Sequence, residues 1–223
     1  MSELANTFLF VFAALFPVVN PLGGAPLFLG LTSDCTVEQR GSLALRVAVN
    51  SFWLLLGSMV FGSLILEFFG ITVPVVRVAG GALVAAMGWK LLNEGANQNA
   101  DELHEADGSA TAAYGFYPLT LPLTVGPGSI SVALTIGSHH PSVELSAHTM
   151  LVIGAALLGL GAIALTVYGS YRFAGPIVRY LGQTGANALV RLSAFILICI
   201  GMQILWGGLS QLIGALHQLP GAG

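Results

Sequence analysis

Pro17 to Pro26 reads PVVNPLGGAP, and Pro118 to Pro127 reads PLTLPLTVGP. Each stretch places three prolines, at the same spacing, inside an otherwise apolar run, and the second lies 101 residues after the first (118 minus 17). Proline lacks a backbone N–H and its ring clashes with the preceding turn, so it interrupts an α-helix. These two segments, called here the first and second proline stretches, therefore predict two broken helices at equivalent positions of an internal repeat.

The composition indicates that most of the surface faces lipid. Of 223 residues, 55% are hydrophobic and 8% are charged, and the mean hydropathy is +0.85. A soluble domain of this length needs a polar shell that so few charges do not supply. The net charge of −3 and the seven scattered Lys and Arg residues give no indication of a nucleic-acid partner.

Six apolar segments are long enough to cross a bilayer as helices, which takes about 20 residues. We expect an all-α integral membrane protein with six transmembrane segments in two inverted three-helix repeats, of which segments 1 and 4 are broken by Pro and Gly. Residues 1–93 form the first repeat, residues 94–112 a flexible acidic linker, and residues 113–223 the second repeat. The predicted segments are Leu4–Leu31, Leu43–Phe69, Val75–Leu92, Ala113–Ile136, His148–Tyr171 and Ala188–Ile213.

The positive charges predict the orientation, because Lys and Arg beside a span are retained in the cytoplasm. One side of the membrane carries only Arg77, so we expect both termini on that outer side and the acidic linker in the cytoplasm. Cys35 and Cys199 would then be ordinary reduced thiols. The opposite side carries Arg40, Arg46, Lys90, Arg172, Arg179 and Arg191.

The broken helices also predict a binding site. A half-helix that begins after each interruption, around Gly24–Pro26 and around Gly126–Ser129, presents free N–H groups and a partial positive charge, which suit a carboxylate. Carbonyls left free near Asn20 and Thr120 would suit an ammonium group, so a zwitterion fits both sets of partners. The candidate substrate-binding residues are Asn20, Pro21, Gly23, Gly24, Thr120, Thr124, Gly126, Gly128 and Ser129. The alternative is that these prolines only kink helices for packing, although recurrence at identical spacing favours a site.

Charged residues in a membrane protein are functional candidates because burying them is costly. Glu67 and Arg77 flank one short connection and are a candidate charge pair, with proton coupling through Glu67 as the minority interpretation. No set of His, Cys and carboxylate residues has metal-ligand spacing, so we expect no metal site and no cofactor. The sequence leaves the identity of a coupling ion undecided.

The sequence resembles the MarC family of bacterial inner-membrane proteins, also described as neutral amino acid transporters within the LysE-type superfamily. The resemblance covers essentially the whole chain and implies six spans in two inverted repeats, with transport of small neutral amino acids such as glycine and alanine. The chain departs from symmetry where Leu121 occupies the position equivalent to Asn20. The matching stretches are Pro17–Leu31, Pro118–Ile130, Arg77–Gly81, Arg191-Leu192 and Ile200–Gln203.

The sequence therefore predicts a secondary transporter or exporter of a small neutral solute, working by alternating access around two facing broken helices. The alternative is an ion channel or metal-ion exporter that uses the same backbone groups. A thiol oxidoreductase would need cysteines at equivalent repeat positions, and Cys35 and Cys199 are not equivalent. No Asp dyad or Ser–His pair indicates an enzyme. The expected partners are the lipid bilayer and the solute, and a homo-oligomer is compatible with the sequence.

Overall fold

The computed structural model describes residues 2–104, 115–138 and 147–217, and within these ranges the chain is helical without strands. This confirms the all-α architecture for the described part of the chain. The elements are α1 (Ser2–Val19), α2 (Pro21–Leu31), α3 (Val37–Phe68), α4 (Val73–His104), a π-helical turn (Leu119–Thr124), α5 (Pro127–Gly137), α6 (Ala147–Arg172) and α7 (Ala174–His217).

Five helical segments of the described chain are long and apolar enough to cross a membrane. The fourth predicted segment, Ala113–Ile136, differs: its first two residues lie outside the described ranges, and its regular part is the short apolar helix α5. Eleven residues rise only about 16 Å, roughly half of a hydrocarbon core. The prediction of six spans is thus matched by five long segments and one short helix. The five are Leu4–Leu31, Val37–Gly62, Val73–Asn93, Met150–Arg172 and Thr184–Ala215.

The predicted linker 94–112 begins as helix, since α4 continues to His104. The stretch from Ala96 to His104 contains no Gly or Pro, the two residues that most disfavour a helix interior. That residues 94–112 act as a linker stays a prediction. Residues 105–112 lie outside the described ranges. Helix α3 also starts earlier than predicted, at Val37, because Thr36 and Gln39 form a capping box.

Helices α4 and α7 form the most extensive helix pair, and they run antiparallel. Gly208 near the end of α7 lies against Pro74 at the start of α4, whereas Gly88 lies against Ala194 earlier in α7. Small residues such as these glycines allow the backbones of α4 and α7 to approach each other closely, as is usual where helices pack in lipid. Helix α7 bends at Gly182, whose φ of 67° is a left-handed conformation that glycine adopts without strain.

One end of the bundle is rich in arginine and is called here the arginine end. Arg172, at the end of α6, lies 3.5 Å from the carbonyl oxygen of Val37 at the start of α3. Arg40 donates to the carbonyl oxygen of Thr32 at 2.7 Å, which fixes the connection between α2 and α3. Because α7 follows α6 and runs antiparallel to α4, the Lys90 region of α4 approaches the same end.

The buried core lies among α1, α2, α3, α5 and α6. It includes Leu15, Phe28, Leu55 and Leu160, all without exposed surface. The outward faces carry large apolar side chains instead of charges, for example Phe68 at 83% exposure and Trp206 at 67%. Lipid, rather than water, is the solvent in which such faces are stable.

Candidate functional site

The first proline stretch leaves helical geometry at one residue, Asn20. Its φ of 50° and ψ of 57° are left-handed, which asparagine tolerates better than most residues. Its side-chain oxygen accepts from the N–H of Gly23 at 3.2 Å and so caps α2. This cap lets α2 begin at Pro21, earlier than the half-helix expected from the sequence. The other two prolines of the stretch, Pro17 and Pro26, lie inside α1 and α2.

The second proline stretch has the same spacing but a different local structure. Leu121, equivalent to Asn20, is extended with φ −109° and ψ 128°. Leucine neither caps a helix nor favours left-handed geometry, so helix α5 does not begin at Pro122, the equivalent of Pro21, but at Pro127. Identical proline spacing therefore produces two unequal interruptions.

Asn20→Leu is expected to lower the free energy of unfolding by about 2–3 kcal/mol, because it removes a cap and places leucine in a left-handed conformation. Asn20→Gly keeps the backbone conformation and should cost only a few tenths of a kcal/mol. The measurement is the thermal unfolding midpoint of both purified variants in detergent. Midpoints of both variants equal to that of the wild-type protein would show that neither the cap nor the left-handed conformation at Asn20 contributes to stability.

Two threonines hold the π-helical turn. The Thr120 hydroxyl donates to the carbonyl oxygen of Gly115 at 2.6 Å and accepts from the Asn50 side-chain amide at 3.3 Å. The Thr124 hydroxyl donates to the carbonyl oxygen of Leu119 at 2.8 Å, and the Tyr171 hydroxyl lies 2.8 Å from it. Both threonines are buried. The two partner side chains join the turn to α3 and to α6.

Asn50 and Tyr171 were not among the residues predicted for this site. An amide within the apolar second segment was an available signal for Asn50, since membrane helices keep polar side chains where they find partners. Tyr171 ends the fifth segment, where an aromatic residue is typical of a membrane interface. No sequence signal therefore points to its burial.

The two carbonyls expected to be free are occupied. The Asn20 carbonyl oxygen accepts from the N–H of Gly24 at 3.0 Å, and that of Thr120 from the N–H of Val125 at 2.8 Å. The helical turns after both residues supply these N–H donors despite the nearby prolines. Each of these oxygens thus already has one donor, and a carbonyl oxygen can accept a second.

A cavity of about 360 Å³ lies between the two proline stretches, with walls from α1, α2, α4, the π-helical turn, α5 and α7. This volume is in the range of small-molecule sites. Of the nine candidate residues, Pro21 and Thr120 do not line it. The seven that do are Asn20, Gly23, Gly24, Thr124, Gly126, Gly128 and Ser129. That these seven bind a solute stays a prediction.

One charged side chain contributes to the cavity wall. Among the described residues that line it, Lys90 is the one charged side chain and none is a carboxylate. The start of α5 has no side-chain cap, because its N-cap residue is Gly126. The Ser129 hydroxyl, in the first turn, donates to the Gly126 carbonyl oxygen at 2.9 Å. The backbone N–H groups of Gly128 and Ser129 thus begin α5 beside the cavity.

The remaining candidates lie elsewhere. Glu67 is exposed near the end of α3, Arg77 is half-buried near the start of α4, and their pairing stays a prediction. Cys35 is half-buried, Cys199 is exposed, and both thiols are free. Within the described ranges, no three His, Cys, Asp or Glu side chains cluster as metal ligands would.

Comparison with known proteins gives a consistent result over nearly the whole chain. The family described as MarC family integral membrane protein matches residues 5–213, which include both proline stretches. Proteins named UPF0056 inner membrane protein MarC, from Escherichia coli K12, Escherichia coli O1:K1 and Shigella flexneri, are each 32% identical over 211 residues. These alignments cover 91% of this chain and 94% of each relative. No solved structure matches significantly.

Proposed function

The chain belongs to the MarC family of integral membrane proteins, and on that premise we propose that it is a secondary transporter or exporter of a small neutral solute, in particular an amino acid such as glycine or alanine. The observation that carries this proposal is the cavity bounded by both proline stretches. Irregular backbone at membrane depth is tolerated where it lines such a cavity. Transporters commonly place the substrate site between discontinuous helices.

The proposed mechanism is alternating access by two inverted repeats that move around the cavity. The antiparallel packing of α4 against α7, the third segment of each proposed repeat, supports this arrangement because inversion reverses the direction of equivalent helices. The arginine end would face the cytoplasm of a bacterial inner membrane, with both termini in the periplasm. The coupling ion, the direction of transport and oligomerisation are separate questions for reconstituted protein.

The charges around the cavity support recognition of a carboxylate. The N–H groups of Gly128 and Ser129 at the start of α5, together with Lys90, would attract the negative end of a zwitterion. For the ammonium end, the Pro122 carbonyl oxygen lies beside Gly126 on the same wall, 3.4 Å from the position of a Cβ at residue 126. Apolar side chains such as Leu83 and Leu197 would contact the body of the solute.

The same charges count against the alternative of a cation channel or metal-ion exporter. A bare cation needs oxygen ligands and is repelled by a nearby ammonium group. Lys90 stands in the wall, and no carboxylate does among the described lining residues. We therefore place the amino acid proposal ahead of the ion-transport alternative.

The deciding experiment is solute counterflow in proteoliposomes. Vesicles loaded with glycine, alanine or serine should accumulate the corresponding radiolabelled solute, whereas protein-free vesicles should not. The purified protein should also unfold at a higher temperature with the same solutes, since ligands that bind the folded state stabilise it. Absence of movement across a broad amino acid panel would reject this substrate class, and solute-independent conductance in a planar bilayer would favour a channel.

A further inference from the structure

Tyr171 is buried where the two proline stretches approach each other. It is the penultimate residue of α6 and has no exposed surface. Its ring stacks on Phe28 of α2, with the ring centroids 4.4 Å apart and an interplanar angle of 13°. Phe28 lies one helical turn after Gly24, so the ring is anchored to the helix that follows Asn20.

The Tyr171 hydroxyl reaches the second proline stretch. It lies 2.8 Å from the Thr124 hydroxyl oxygen. Threonine has a single hydroxyl proton, and Thr124 donates it to the carbonyl oxygen of Leu119. Tyr171 is therefore the donor in this pair. The result is a chain of two hydrogen bonds, from Tyr171 through Thr124 to the backbone of the π-helical turn.

The same hydroxyl touches the first proline stretch. A Cβ atom on Gly24 would lie 2.6 Å from the Tyr171 oxygen, so only glycine fits here beside tyrosine. Gly24 and Thr124 both line the cavity, whereas Tyr171 does not. Tyr171 thus stands directly behind two adjoining parts of the cavity wall, one from each proline stretch, and contacts both of them.

We propose that Tyr171 is a positioning residue that sets the separation of the two proline stretches and thereby the geometry of the cavity. A hydrogen bond in dry, low-dielectric surroundings is strong because water does not compete for either partner. The stacked ring fixes the hydroxyl relative to α2, and the bond fixes Thr124 relative to the hydroxyl. The consequence for solute binding rests on the proposed transport function, whereas the contact itself does not.

Tyr171→Phe is expected to raise the KM for the transported amino acid about tenfold, the effect of losing one such hydrogen bond at roughly 1.4 kcal/mol. The maximal rate per folded molecule should stay within about twofold of wild type. A purely structural role would lower the amount of folded protein without changing KM. Tyr168→Phe is the matched control, because Tyr168 lies one turn earlier in α6 and faces a separate groove beside Phe52; its KM should not change.

A second experiment tests the contact without any solute. Gly24→Ala should lower the unfolding temperature, because the new methyl group meets the Tyr171 oxygen. In the double variant Gly24→Ala with Tyr171→Phe that oxygen is absent, and the next ring atoms lie 3.3 and 3.4 Å from the Cβ position. The double variant should therefore unfold near the temperature of Tyr171→Phe alone.

The two experiments separate the failure of this inference from the failure of the proposed function. Additive losses of stability in the double variant, or an unchanged KM in a transporting Tyr171→Phe protein, would overturn the positioning role. Compensation between the two substitutions, in a protein that moves no amino acid, would uphold the contact and reject the amino acid substrate. Compensation between the two substitutions, together with a raised KM of Tyr171→Phe, would support both the positioning role of Tyr171 and the proposed amino acid transport.

Discussion

Gly126→Leu is expected to abolish solute transport while the protein stays folded. The backbone at Gly126 has φ −86° and ψ 175°, which a leucine adopts without strain. A Cβ there would lie 2.9 Å from the terminal methyl of Met87 and 3.2 Å from its sulfur. Met87 is a flexible, 38% exposed side chain that can move aside. The leucine would then project into the cavity beside the start of α5 and block the proposed carboxylate site.

The measurement is counterflow at matched amounts of monodisperse protein, with the unfolding temperature as a check of folding. Gly154→Leu is the control, since no side chain or backbone atom outside its own helix lies within 4 Å of a Cβ at that position. We expect background transport for Gly126→Leu and normal transport for the control. Normal transport by Gly126→Leu would remove the cavity from the transport pathway.

Gly24→Leu, a substitution at the other end of the candidate site, would be less informative. A side chain at residue 24 meets the buried Tyr171 hydroxyl rather than a flexible neighbour. Loss of transport would then mix cavity blocking with a packing defect. Gly126 is the better position because its neighbour has room to move.

Gly81→Leu is expected to prevent folding or to destabilise the protein by more than about 3 kcal/mol. A Cβ on Gly81 would lie 2.6 Å from the Gly201 carbonyl oxygen and 2.8 Å from the Cα of Leu205. These are backbone atoms of α7, which cannot rotate away as a side chain does. The substitution would force α4 and α7 apart along the most extensive helix pair of the protein.

The test compares the yield of monodisperse protein and the unfolding temperature of Gly81→Leu with those of Gly207→Leu. Gly207 lies in α7, where a Cβ has no neighbour within 4 Å beyond its own helix, so the same added side chain should be tolerated. Similar yield and stability for both variants would mean that close packing of α4 against α7 is not needed for folding.

Several features were predictable because local sequence determines them. The interruption at Asn20 follows from an Asn-Pro pair in an apolar run, where asparagine both caps and adopts left-handed geometry. Leu121 signalled that the two proline stretches are unequal, and the start of α5 at Pro127 lies where the Gly-Pro-Gly sequence predicts a half-helix. The continuation of α4 to His104 lies beyond the apolar third segment, in polar sequence where apolar spacing carries no signal.

The sequence by itself determined the solvent and the elements. Apolar runs of about 20 residues become helices in lipid because each backbone N–H and C=O must be satisfied within the segment. Only the tertiary structure decided that Gly24 and Thr124, 100 residues apart (124 minus 24), share one cavity and one tyrosine hydroxyl. The proximity of Gly24 and Thr124 depends on how α6 packs against both proline stretches at once. This packing is decided by many contacts between residues distant in sequence, which no local spacing encodes.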